Sequence, residues 1–358
     1  MIGDFAYEAN PMRVRFGSGS LERVADELDH LGLRRVLVLC SPSQQSVADR
    51  VASILGDRCV GIRSDAVMHV PADLAARANA EAVSLGADGC VTVGGGSAIG
   101  LGKAIALKHR VPIVAVPTTY AGSEMTPVWG MTTEGRKETG RDTAVLPRSV
   151  LYDPDLTAGL PVGLSVTSGI NAVAHAVEAL YAPDISPIIA LMAEDGVRAL
   201  ASALPVIVAD PSDPQGRSDA LYGAWLCGAT LGSTTMSLHH KLCHALGGTL
   251  NLPHAPTHTV VLPHVLAFNQ SHAPEAVAAM TRALPGTADP ARRLWDLCRT
   301  LGAPRSLAEL GMQESDIDRI AEEATSRSYG NPRPVTREAV TTILRAAWAG
   351  ERPNESEQ

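Results

Sequence analysis

The chain is poor in aromatic side chains, with only three Phe, six Tyr and four Trp. Ala, Val, Leu and Gly fill their place, a composition suited to parallel strands and closely packed helices. It also lacks positive charge: 30 Lys and Arg against 38 Asp and Glu give a formal net charge of -8. No basic stripe is available to track phosphates, so nucleic-acid binding is excluded and any anionic ligand must be held by local groups. Cysteine is sparse. Cys40, Cys59, Cys90, Cys227, Cys243 and Cys298 are widely spread without a CxxC pair, which excludes a disulfide framework and indicates free thiols in a reducing compartment. No apolar run approaches 18 residues without polar breaks, and MIGDFAYEANPMRVRF has no signal-peptide core. No membrane partner and a cytoplasmic location are expected.

At 358 residues the chain exceeds the size at which a single core stops growing, so two domains are the default. From Arg34 to about Pro154, short β-branched runs (RRVLVLCS, CVGIRS, GCVTVGGGS, VPIVAVPTT) alternate with helical stretches. That rhythm predicts βαβ units and a parallel sheet. After DPDLTAGLP the strand signal almost vanishes, and SGINAVAHAVEALY, SPIIALMAEDGVRALASAL, SDALYGAWLCGATLGS and PEAVAAMTRAL carry apolar residues at helical spacing. The expected class is α/β plus all-α: a dinucleotide-binding α/β domain over 1–157 and an all-helical domain over 158–358, with the boundary between Leu156 and Pro161. The polar tail from Glu351 should fray.

GCVTVGGGSAIGLGKAIALKHR reads as strand, glycine turn and helix. Gly94, Gly95 and Gly96 let backbone amides approach a ligand, Ser97 is placed to cap the helix, and the positive end of the helix dipole suits a pyrophosphate. This is not the GxGxxG fingerprint, and it follows a late strand instead of the first. The next strand runs into VPTTYAGSEMTP, where Thr118, Thr119 and Ser123 bring hydroxyls to the carboxyl edge of the sheet. Self-capping turns would use the same residues, but two phosphate-friendly elements on adjacent strand ends point to a dinucleotide. An acidic residue after the first strand would repel a 2'-phosphate; Ser41 stands near that point. Both NADH and NADPH are therefore expected to bind.

Six of the eleven histidines lie in SLHHKLCHALGGTLNLPHAPTHTVVLPH, and His175 lies upstream. His240 and His244, four residues apart, share a helix face, and His254 is expected on a loop past a GG turn. The pattern resembles a metal cage, whose fourth ligand should be anionic or soft. One helical turn before His175, however, stands Asn171. An amide is a poor ligand for a transition metal. Packed or capping histidines are the plain alternative, and His239, His258 and His264 are assigned to structure.

Taken together, FGSGSLERV, GGGSAIGLGKAIA, VPTTYAGSEMTP, LYDPDLTAGLP, SGINAVAHAVEALYA, the histidine segment and NPRPVT resemble the iron-containing alcohol dehydrogenase family in order and spacing. The resemblance implies a Rossmann-like N-terminal domain, a helical C-terminal domain of the dehydroquinate synthase type, an active site between them, and a homodimer. In the alcohol-oxidising members Fe or Zn is held at positions that here are Asn171, His175, His240 and His254. The first departs from the family Asp, and the loop reads PHA for PHG. Gly100 also departs from the Asp of GGGSxxD, and with Met68 to Pro71 these differences resemble the branch that reduces maleylacetate to 3-oxoadipate in aromatic degradation. Lys137 matches a lysine placed near the nicotinamide ribose.

That activity suits the missing carboxylate. Alcohol oxidation requires an alkoxide and usually a Lewis acid. Hydride addition to an enone produces an enolate, which hydrogen-bond donors and a general acid can serve without metal. His175, His240 and His254 with Asn171 are expected to form the polar wall, one of them or His244 giving the proton; no metal is expected. The dicarboxylate substrate needs cations, for which Lys241 and Arg333 are candidates, Lys241 weakly because it sits about 100° around the helix from His240. The competing readings are a metal-dependent alcohol or polyol dehydrogenase using the Asn171 carbonyl, a dehydroquinate synthase-like lyase that regenerates NAD, and a non-catalytic dinucleotide sensor.

Overall fold

In the computed structural model, residues 5–10, 13–133, 136–284, 286 and 289–353 are described. The end of the polar tail, 354–358, lies outside them. The described residues divide into two compact units, one within 9–160 and the other within 161–353, the latter joined by residues 5–8.

The first unit is built on a parallel sheet. Its strands are β1 (Arg13–Phe16), β2 (Val36–Cys40), β3 (Cys59–Arg63), β4 (Gly89–Gly94), β5 (Ile113–Pro117) and, beyond a hairpin of β6 (Val128–Thr133) and β7 (Arg136–Arg141), β8 (Ser149–Tyr152). The sheet order is β1-β8-β5-β4-β2-β3, all pairs parallel. Helices α1 (Val24–Leu31), α2 (Gln45–Leu55), α3 (Ala72–Ser84) and α4 (Gly96–His109) connect them. The central strand β2 is wholly buried, as a continuous apolar run requires when both faces are covered. Its residues alternate between cores: Val36, Val38 and Cys40 pack with α1 and α2, whereas Leu37 and Leu39 pack with α3 and α4.

Two features escaped the sequence pattern. Edge strand β1 reads RVRF, too short and charged to register as a strand. Arg13 and Arg15 nevertheless donate to the buried Glu27 carboxylate at 2.7 and 2.9 Å, and Ser149 of β8 donates to the same carboxylate at 2.7 Å. The β6–β7 hairpin is antiparallel and forms its own two-stranded sheet; RKETGR carries no apolar alternation to announce it.

The second unit is helical. It comprises α5 (Val162–Leu180), α6 (Pro187–Ala209), α7 (Pro214–Ser233), α8 (Leu238–Leu250), α9 (His254–Asn269), α10 (Pro274–Ala283), α11 (Pro290–Thr300), α12 (Ile317–Thr325) and α13 (Arg337–Ala349). α5 packs on α6, α7 and α9, and every residue from Gly169 to Leu180 is buried. That explains its near-continuous apolar sequence and makes the polar exceptions Asn171, His175 and Glu178 conspicuous. A further core joins α8, α9, α12 and α13 through Leu242, Leu246, Val261, Ile320 and Leu344.

Candidate active site

In the sheet unit, the chain leaves β2 for the outer strand β3 and then returns across β2 to β4. The crevice at the carboxyl ends of β2 and β4 is thus a topological switch point, where open α/β sheets bind ligands. Ser41 follows β2, and Gly94 closes β4. Gly94 has φ +138°, a conformation side chains disfavour. A Cβ on Gly95 would lie 2.8 Å from the Thr119 hydroxyl, so this glycine admits the neighbouring loop; a Cβ on Gly96 would meet nothing within 4 Å. Gly94 pairs with Pro117 in register, and the Thr118 amide donates to the Gly94 carbonyl at 3.3 Å. The glycine turn and the Thr118–Thr119 segment are therefore side by side. Thr118 Oγ1 is buried without a protein partner.

The expected cap is corrected. Gly95, in extended conformation, is the N-cap of α4, no side chain caps it, and Ser97 is the second helical residue. Helical geometry starts two residues earlier than the capping preference of serine suggested, with glycine, an acceptable N-cap, in its place. Ser41 Oγ is 3.1 Å from Ser43 Oγ. Ser123 opens a short 3-10 turn, and its carbonyl accepts from the buried Lys103 ammonium at 2.7 Å. Lys137 pairs with Thr132 on the hairpin; its side chain lies outside the described ones.

In the helical unit the GG pair is not a turn. α8 runs through Gly247 and Gly248 and stops at Asn251, left-handed at φ +54°. Asparagine tolerates that conformation better than most residues. His254 accordingly is not on a loop but opens α9, which puts His258 one turn later on the same face. This i,i+4 spacing was the available signal that His258 belongs with the others.

The rings converge. Centroid separations are 5.2 Å for His175–His240, 5.0 Å for His240–His258, 4.3 Å for His254–His258, 6.2 Å for His240–His244 and 6.5 Å for His244–His254. His239 Nε2 lies 3.0 Å from His258 Nδ1, so these two structural assignments form part of the cluster. Cys243 Sγ is 3.8 Å from His239 Nε2. Burial, reinforced by repulsion from neighbouring imidazoles, holds His175, His239 and His258 well below the usual histidine range. They are neutral near pH 7. Asn171 Oδ1, His175 Nδ1, His240 Nε2 and His258 Nε2 are buried without protein partners.

Glu178 had no place in the sequence reading, yet it organises the cluster. Fully buried on α5, it accepts from His240 Nδ1 at 2.7 Å, from the Ser237 amide at 3.0 Å and from the His239 amide at 2.8 Å. It thereby caps α8 from outside the helix, where Ser237 offers no side-chain cap of its own. It also fixes the His240 ring so that Nε2 is the atom left for a ligand. Its position, three residues after His175, is the one spacing that could have flagged it.

Lys241 and Arg333 are not brought to this cluster. Lys241 is exposed on α8, on a different face from the buried His240, as the 100° offset requires. Arg333 lies over the Phe268 ring at 4.5 Å and donates to the Phe268 carbonyl at 3.4 Å. Phe268 is fourteen residues along α9 from His254, about 21 Å at 1.5 Å per residue.

As a metal site the family's positions supply three imidazoles and an amide oxygen. The carboxylate that would offset a cation's charge is absent from position 171, and the nearest anion, Glu178, is committed behind His240. This donor set does not fit the family's Asp and three His pattern.

Residues 11–154 match the model of the iron-containing alcohol dehydrogenase family, and residues 165–348 match the model of its C-terminal domain. The chain is 54% identical over 350 residues to maleylacetate reductase of Burkholderia cepacia, covering 98% of this chain and 99% of that one. Its structure is similar to the crystal structures of maleylacetate reductase from Agrobacterium tumefaciens (TM-score 0.95, 48% identity, covering 98% and 100% of the two chains) and from Rhizobium sp. (0.94, 49%, 98% and 99%).

Proposed function

Since the chain belongs to the iron-containing alcohol dehydrogenase family and is therefore an oxidoreductase, we propose that it reduces the C=C bond of maleylacetate to 3-oxoadipate with NADH or NADPH. The observation that carries this reading is the buried amide of Asn171 one helical turn before the buried His175, in a chain matched end to end by maleylacetate reductases.

The nucleotide is assigned to the switch point. The first-turn amides of α4 at Gly96 and Ser97 would hold its pyrophosphate, with Gly94, Gly95, Thr118, Thr119 and Ser123 alongside, and Ser41 would serve the adenosine ribose and Lys137 the nicotinamide ribose. A bound NADH or NADPH would supply the hydride; its addition to the carbon β to the substrate ketone moves the C=C electron pair onto the ketone as an enolate.

The helical unit serves that enolate. Asn171, the neutral imidazole of His175 and the ring of His254 offer hydrogen-bond donors for its oxygen, the first two in a buried setting where such bonds are strong. His240, carrying Glu178 at Nδ1, delivers a proton from Nε2 to the carbon adjacent to the ketone and regains one from solvent. His244, exposed on the same helix, is assigned to the mouth of the wall. We propose that the reaction is metal-independent, on the ground that position 171 lacks the anionic donor. The homodimer implied by the resemblance and the cytoplasmic location expected from the sequence belong to the same proposal; no described helix is long and apolar enough to cross a membrane.

The test follows absorbance at 340 nm with maleylacetate, with and without EDTA. The expected outcome is stoichiometric NADH oxidation indifferent to chelator. Activity that disappears with a bound metal and returns on its restoration would favour the metal-dependent dehydrogenase reading instead.

A further inference from the structure

Lys103 sits on α4 two turns beyond Gly96 and is 1% exposed. Its ammonium donates to the carbonyls of Ser123 and Val128, each at 2.7 Å, and to the carbonyl and hydroxyl of Thr126, both at 2.9 Å. Thr126 Oγ1 in turn donates to the Ser123 carbonyl at 3.1 Å and accepts from the Val128 amide at 3.4 Å. Between these anchors Glu124 is buried and accepts from Tyr152 of β8 at 2.7 Å. The segment after β5 is thus tied to α4 on one side and to β8 on the other.

Burying a cation is expensive, and an apolar side chain would fill the same volume at lower cost. The Lys103 amine, whose pKa burial pushes down to about 7, instead adds directional bonds to three successive stretches of backbone. Those bonds set the path of the loop that carries Thr118, Thr119 and Ser123, and they set it relative to the helix whose first turn follows Gly94 and Gly95. We infer that Lys103 is a positioning residue for nucleotide binding, joining the glycine turn and the threonine-serine loop into one preorganised body. Because ordering a loop on binding costs affinity, the residue acts through NADH affinity and not through the chemical step. The inference rests on the nucleotide site proposed above.

Lys103→Met removes the donor at similar length, Thr126→Val removes one oxygen of the cradle, and Ile105→Val, buried on the same helix, serves as a packing control. NADH affinity is measured by titration, together with thermal midpoint and kcat at saturating NADH. The expected result is a rise in the NADH Kd of at least tenfold for Lys103→Met and about threefold for Thr126→Val. In both, kcat should change less than threefold, and Ile105→Val should lower the midpoint without moving Kd. A folded Lys103→Met with Kd within twofold of wild type overturns the inference, as does a Kd rise in the packing control equal to that in Lys103→Met. If Lys103→Met does not fold, Thr126→Val decides on the same criterion. Wild-type protein that binds neither NADH nor NADPH would instead sink the nucleotide site, and this inference with it.

Discussion

At the scale of single residues, Asn171 and Glu178 act on the same histidine wall in opposite ways. Both lie on the buried face of α5, one removing negative charge from the ligand side and the other placing it behind His240. Restoring the carboxylate with Asn171→Asp should raise affinity for Fe or Zn, read by metal analysis after dialysis, and lower enone reduction by at least tenfold. Unchanged reduction would make the amide incidental. Glu178→Gln keeps shape and most hydrogen bonds yet withdraws the anion. It should lower kcat by about 10²- to 10⁴-fold, the usual range for a disabled general acid, with the KM for NADH within threefold. A loss confined to KM would contradict the proton-donor assignment. Asn171 was visible in the sequence because it departs from a pattern; Glu178 was not, because a lone Glu on an apolar helix carries no mark of what it touches.

At the scale of elements, the departure at Gly100 has a steric explanation. A Cβ there would lie 2.8 Å from Val70 Cγ2, and Val70 itself is held at φ +42° after His69 at φ +66°. A β-branched residue in that region is strained. The Met68 to Pro71 segment is fastened to the hairpin through the Thr132 amide, which donates to the Val70 carbonyl at 3.2 Å. Gly100 and the Met68 to Pro71 segment thus meet in one packing contact. Gly100→Ala should cost about 1–3 kcal/mol by overpacking, measured by urea unfolding. Adding Val70→Ala should recover part of it, whereas strictly additive losses would deny the coupling. The helical boundary of α8 belongs at this scale too. Paired glycines read as a turn, but the surrounding core held the helix together to Asn251 and so carried His254 and His258 onto one face.

For the whole molecule, the cost of burying imidazoles sets the response to acid. His264 is pushed down to about 4 by burial, and His175, His239 and His258 are also depressed. Unfolded histidines take up protons near pH 6.5. Between the folded and unfolded values the unfolded histidines therefore bind more protons, so their contribution to stability is fully present above pH 6.5 and falls as pH drops. His264 alone accounts for about 3 kcal/mol by pH 4 at 1.4 kcal/mol per unit. Urea midpoints should fall steeply below pH 6.5, and His264→Leu should flatten that fall. An equal slope in the variant would refute the assignment.

Periodicity and composition determined the succession of strands and helices, because local hydrophobic alternation is written into neighbouring residues. Sequence spacing likewise exposed the glycine turn, the hydroxyl loop and the histidine run. Tertiary structure decided the rest. Only the sheet order put the late glycine turn at the switch point beside Ser41, and only packing of α5 against α8 and α9 brought Glu178 to His240 across 62 residues. It also sent Arg333 to Phe268, away from the histidines. Such contacts depend on which faces of distant elements meet, and the period of a single element specifies its buried face without naming the partner that covers it.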